Sequence, residues 1–204
     1  MKNRDKILSA LGFIVAVSAS FSSELANLIR PLDGSEIKIR LTRHTVFVRK
    51  NATGASSSWN LIDENTKKVD GVSSISETKL PKNQAVVFDK IAVGFAEGDA
   101  AGKEGALDYS VAAVPAVLRN ANVVITQNGR EVVDLPIADL VKGETTATAG
   151  DNYHDLEGYN YLVDDQPMEI MFRFPNGQTL AASAAGKENY IELRLQGFKT
   201  SRKQ

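Results

Sequence analysis

The sequence predicts a mostly β protein, an antiparallel sandwich or barrel of about eight strands. Three observations predict it. Apolar and polar residues alternate with a period of two in several short runs. An Asn-Gly pair sits between two Val/Ile-rich runs, as in a tight hairpin. Gly, Pro, Asn and Ser clusters punctuate the chain between the runs, and no longer period repeats.

The runs can be placed in order. From Glu36 onward, Ile37, Ile39 and Leu41 alternate with Lys38, Arg40 and Thr42, and the strand continues through Thr45 to Val48. Asn51 to Ser58 is a polar loop, and Trp59 to Ile62 a short strand. Leu80-Pro81-Lys82-Asn83 punctuates before the apolar stretch Ala85 to Phe95, and Gly98 to Gly105 is a flexible loop. Val123, Val124 and Ile125, then Asn128-Gly129, then Val132 and Val133 predict a hairpin with a type I′ turn. Leu135 to Leu140 suits one short helical turn, and Lys142 to Asp155 a polar loop. Met168 to Phe174, Thr179 to Ala181 and Ile191 to Leu195 are the last strands, with Pro175-Asn176-Gly177-Gln178 as a turn.

Composition narrows the function. The chain has 204 residues, 43% hydrophobic and 24% charged, and its 24 basic and 25 acidic residues leave a net charge of -1. Such a balance makes no global electrostatic case for nucleic acid or anionic membrane. Cysteine is absent, which excludes disulfides, thiolate metal sites and a cysteine nucleophile. Only two histidines occur, His44 and His154, which lowers the case for acid–base catalysis.

Residues 1–30 differ from the rest. Lys2, Arg4 and Lys6 precede an apolar run from Ile7 to Phe21, and Val17 and Ala19 are spaced like a signal-peptidase site. At about 15 residues this run is shorter than the roughly 20 that cross a bilayer. Ile7, Leu8, Leu11, Ile14 and Val15, then Leu25, Leu28 and Ile29, also recur at helical spacing, with Ser22 or Ser23 able to cap a helix opening at Glu24. One reading is a retained helical arm for a neighbouring subunit or a membrane surface. The other is a secretory signal cleaved near Ala19. The predicted organisation is this segment, a β domain over 31–198 and a basic tail over 199–204.

Known catalytic patterns are missing. There is no Gly-rich phosphate loop and no Gly-x-Ser-x-Gly elbow. The adjacent carboxylates Asp63-Glu64 and Asp164-Asp165 read as solvated turn residues rather than catalytic pairs. The best metal candidate is Asp151-Asn152-Tyr153-His154-Asp155, whose residue types equally describe a solvent-facing turn. His44 reads as a surface or interface histidine, and Asn51-Ala52-Thr53 matches a glycosylation sequon by composition alone. Two basic clusters remain: Lys38, Arg40, Arg43, Arg49 and Lys50 around the first strand, and Lys199, Arg202 and Lys203 at the end. The first reads as edge protection. The second is open between solubility and contact with packaged nucleic acid or an acidic neighbour. No catalytic, cofactor or metal residue is assigned.

The order of features from Val86 onward resembles the jelly-roll capsid proteins of tailless bacteriophages. The resemblance rests on Lys79-Leu80-Pro81-Lys82-Asn83 leading into Val86 to Ile91. It rests also on Asn122 to Arg130 followed by Leu135-Pro136-Ile137, and on the closing stretch Ile191 to Thr200. It implies an eight-stranded jelly roll, no catalysis, and assembly in a virion with copies of itself and other capsid proteins. Major proteins of many tailless phages carry two jelly rolls, and this chain has length for one. The resemblance therefore implies a minor, vertex or single-jelly-roll component. The competing expectation is an exported bacterial β-sandwich, periplasmic or secreted, for attachment or ligand binding.

Overall fold

The computed structural model describes residues 2–99, 104–110, 114–141 and 153–203. Its strands are β1 (Ile39–Asn51), β2 (Ser58–Asn60), β3 (Val86–Asp99), β4 (Asn122–Gln127), β5 (Arg130–Pro136), β6 (His154–Leu162), β7 (Met168–Arg173) and β8 (Lys187–Arg202). Its helices are α1 (Lys2–Ala16), α2 (Ser23–Ile29), α3 (Ala116–Arg119) and α4 (Ile137–Leu140). The strands form two antiparallel four-stranded sheets, ordered β1-β8-β3-β6 and β2-β7-β4-β5.

The pairing has a simple rule. β1 pairs with β8, β2 with β7, β3 with β6 and β4 with β5, so the chain is a set of nested hairpins. Two lateral pairings, β3 with β8 and β4 with β7, then close each half into a sheet. Only the innermost hairpin is local. Its turn is the expected one: Asn128 and Gly129 have φ of 51° and 72°, both positive as a type I′ turn requires.

Alternation decides which face of each strand is buried. Val46, Phe88, Ile91, Val93, Leu193 and Leu195 of the first sheet meet Val123, Ile125, Ile170 and Phe172 of the second in one apolar core. The outer face of the first sheet is also covered at one end. Ile14, Phe21, Leu25 and Ile29 of the N-terminal segment form a second cluster with Ile39, Ala85, Val87 and Val163. Phe13 packs on Tyr159 and Tyr161, and Phe21 meets Tyr161 edge-on at 5.7 Å. The segment read as an arm thus packs on its own sheet in this structure. Ser22 caps α2 by accepting from the Leu25 N–H at 3.2 Å, and Pro31 follows just after the helix end.

Several elements differ from the sequence expectation. β6 was not anticipated: His154 and Asp155, assigned to a polar loop, open it, and residues 142–152 of that loop lie outside the described residues. Its burial is irregular and Glu157 has a φ of 58°, which hides the period of two. Thr179 to Ala181 is not a strand; Thr179 makes a single bridge to Ser56. Gly98 and Asp99 end β3 instead of opening a loop, while residues 100–103 lie outside the described residues. Lys199 to Arg202 belong to β8.

Candidate functional site

The outer face of the first sheet carries the densest polar chemistry. Glu192 on β8 is 2% exposed. Arg49 on β1 forks onto its Oε1, with Nε and Nη2 both at 2.8 Å, and Arg194 Nε lies 3.0 Å from Oε2. Arg49 also donates from Nη1 to the Gly71 carbonyl at 2.7 Å, and stacks 4.7 Å from the Tyr109 ring centroid. Arg194 lies over the Tyr153 ring. Gly94 of β3 lies opposite: a Cβ there would be 3.3 Å from Glu192 Oε2 and 3.1 Å from Tyr109 Cβ. Burial pushes the Tyr109 hydroxyl well above the ordinary phenol range. Oε1 takes both Arg49 nitrogens while Oε2 faces Arg194 Nε as an ion pair without a hydrogen bond, so the cluster acts as a clamp between β1, β8 and the Tyr109 loop. Glu192→Ala would leave two guanidiniums facing an emptied site. Each is about a fifth exposed, which moderates the cost. The expected loss in urea unfolding is about 3 kcal/mol; an unchanged midpoint would show that the clamp carries no stability.

A second feature is a cleft of about 410 Å³ at one end of the sandwich. His44, Val46 and Lys199 line it, closed over by Lys68, Glu77, Lys79 and Lys82 of the β2–β3 connection. His44 is half-buried, and its pKa is lowered by burial first and by Lys199 and Lys68 next. Lys82 faces Asp165 at 3.8 Å. A third feature, about 360 Å³, lies between α1 and the sheet, where Lys6 meets Asp89 at 3.5 Å beside Arg43 and Phe198.

The candidates read from sequence fall as follows. Asp63 accepts from Lys50 Nζ at 2.7 Å and from the Asn65 N–H, a turn residue whose pKa is lowered chiefly by the Lys50 hydrogen bond. Glu64 is exposed. Asp165 is an exposed turn residue, but Asp164 is not: it is 1% exposed. It accepts from Ser22 Oγ at 2.6 Å, the Ser22 N–H at 3.3 Å and the Asn83 N–H at 2.9 Å, tying the α2 cap to the sheet. Sequence reasoning missed this clasp, since its partners are far away in the chain. Asp151 and Asn152 lie outside the described residues. Of their neighbours, Tyr153 is buried, His154 pairs with Ile91, and Asp155 accepts from the Glu157 N–H at 3.0 Å. Among the described residues no group of three or more His, Asp or Glu could hold a metal ion. In the sequon, Asn51 Nδ2 donates to Glu188 at 2.7 Å and its Oδ1 accepts from the Thr53 N–H at 2.9 Å.

The basic residues split into two sets. Arg49 and Lys50 are committed to Glu192 and Asp63, and Arg40 and Arg43 donate to Ser201 and Gln196 across the pair with β8. Lys199 turns into the cleft. Edge protection thus describes only part of the first cluster. Described residues include no helix long and apolar enough to cross a membrane. No protein family, curated protein or solved structure matches the chain.

Proposed function

We propose that the sandwich is a jelly roll and that the protein is a non-enzymatic structural component of a virion shell, joining copies of itself and other shell proteins. The nested pairing carries this reading. Eight strands paired first-with-last down to fourth-with-fifth, then wrapped into two four-stranded sheets, are what winding one long hairpin produces. Viral shells use that winding widely, as do lectins and cupins. The inside of this sandwich is filled by aliphatic and aromatic side chains, which favours work done on its outer surfaces. On this reading residues 1–30 are the arm, held on the parent sheet until assembly.

Intact mass measured together with native size, on protein from its natural source, tests the proposal. The expected result is a full-length mass within a large symmetric particle. A monomer or small oligomer lacking about 19 residues would overturn it in favour of an exported module.

A further inference from the structure

We infer that the open edge of β1 is a docking site for an extended, acidic peptide segment, which adds to the first sheet as a further strand. The inference rests on the edge and its charges, independently of the shell reading. β1 ends the sheet order, and backbone groups along it point alternately toward β8 and outward. Phe47 and Arg49 point outward and are already satisfied: their N–H groups donate to Ser74 Oγ and the Val72 carbonyl, both at 2.8 Å, and the Phe47 carbonyl accepts from the Ser74 N–H at 2.9 Å. Here the chain's own segment 72–74 behaves as the start of an added strand. The same period turns the N–H and C=O of Leu41, Arg43 and Thr45 outward. No backbone partner faces these three among the described residues. Before this run Lys38 faces the other way: its carbonyl accepts from the Lys203 N–H beyond the end of β8 and its N–H donates to the Leu28 carbonyl, both at 2.8 Å. A ladder of this length suits a peptide strand of about five residues.

Charge selects the occupant. Arg40 and Arg43 are exposed on β1, their side chains donating across to Ser201 and Gln196 of β8, and the adjoining cleft adds Lys68, Lys79 and Lys199 around the half-buried His44. Glu77 and Asp165 are its acidic residues, and Asp165 already faces Lys82. Positive potential meets no equal negative one, and the pKa of His44, lowered first by burial, is lowered further by Lys199 and Lys68. A second copy pairing edge to edge with its two-fold axis at Arg43 would set the two Arg43 side chains opposite each other, which is unfavourable. An acidic strand pairs with them. Val46, Ile75 and Leu80 in the cleft provide room for apolar side chains between the acidic ones.

The test uses the full chain and an octapeptide, Glu-Val-Glu-Thr repeated twice with blocked ends, beside the same peptide with Lys for Glu. The Glu peptide is expected to bind by fluorescence anisotropy and to slow amide exchange at Leu41, Arg43 and Thr45 by about tenfold or more. Arg43→Pro removes an outward backbone donor and no backbone bond to β8, its side-chain bond to Gln196 being lost equally in Arg43→Ala, and is expected to weaken binding at least about tenfold. Arg43→Ala should weaken it less. Reversing both cleft charges, Lys68→Glu with Lys199→Glu, is expected to cost about tenfold as well, without relying on a proline. Equal binding of the Lys peptide would overturn the proposal. So would binding without amide protection at those three residues, no binding at millimolar peptide, or an oligothymidylate binding in place of the Glu peptide.

Discussion

Gly197→Ala should prevent the protein from folding. Gly197 lies in β8 between His44 of β1 and Phe88 of β3, opposite the bulge between Phe88 and Lys90. The bulge swings the β3 backbone across the position a side chain would take. A Cβ there would overlap the Val87 carbonyl oxygen and come 2.8 Å from its carbon. These are backbone atoms in the centre of the sheet, so no rotamer change relieves the overlap. Either β3 leaves β8 or the bulge straightens, and both break the ladder that seats Phe88 in the core. The expected loss is at least about 4 kcal/mol, seen as insoluble expression or a collapsed urea midpoint. Gly12→Ala is the control. Its Cβ meets nothing within 4 Å, it lies within α1, and a gain of about 0.5–1 kcal/mol is expected. A soluble Gly197→Ala protein with an unchanged midpoint would show that β3 and β8 do not meet as described.

Removal of residues 1–30 is expected to have the next largest effect. Ala10, Ile14, Phe21, Leu25 and Ile29 are buried on the outer face of the first sheet. Without them Ile39, Val87 and Val163 face water, Tyr159 and Tyr161 lose their ring partners, and Asp164 loses the Ser22 N–H and hydroxyl. The expected loss is on the order of 5 kcal/mol, or about 10–20 °C in thermal midpoint. The newly exposed apolar face should bind a hydrophobic dye. A truncated protein that keeps its midpoint and binds no dye would show that the segment is not part of the fold. If the segment is instead exchanged between subunits, the loss should depend on protein concentration.

These two effects come from parts of the molecule that were unequally visible in the sequence. The helical period through Ile14, Leu25 and Ile29 marks an apolar stripe, and Ser22 marks a cap, because helix signals lie within a few residues of each other. Where that stripe packs was not visible. Its partners Val87 on β3 and Tyr161 and Val163 at the end of β6 belong to two regions far apart in the chain. The clasp at Asp164 was hidden for the same reason. An acidic pair beside Gln166 and Pro167 looks like a solvated turn until residue 22 is folded over it. Gly197 carried no turn signal, and the bulge that makes it necessary lies in another strand. β6 was missed because its alternation is broken by positive φ at Glu157 and by partial burial.

By itself the sequence determined the mostly β character, the alternation along β1, β7 and β8, the Asn128-Gly129 hairpin, and the helical spacing of apolar residues between Ile7 and Ile29, which left a retained arm and a cleaved signal both open. Each follows from propensities and periods that act over a few residues. Only the tertiary structure decided the nested pairing, the outer-face packing of the N-terminal segment, the Arg49–Glu192–Arg194 clamp, and the meeting of His44, Lys68 and Lys199 in one cleft. These depend on bringing distant strands into register, and which strand is the neighbour is chosen by burial of the whole core, not by any local pattern of residues.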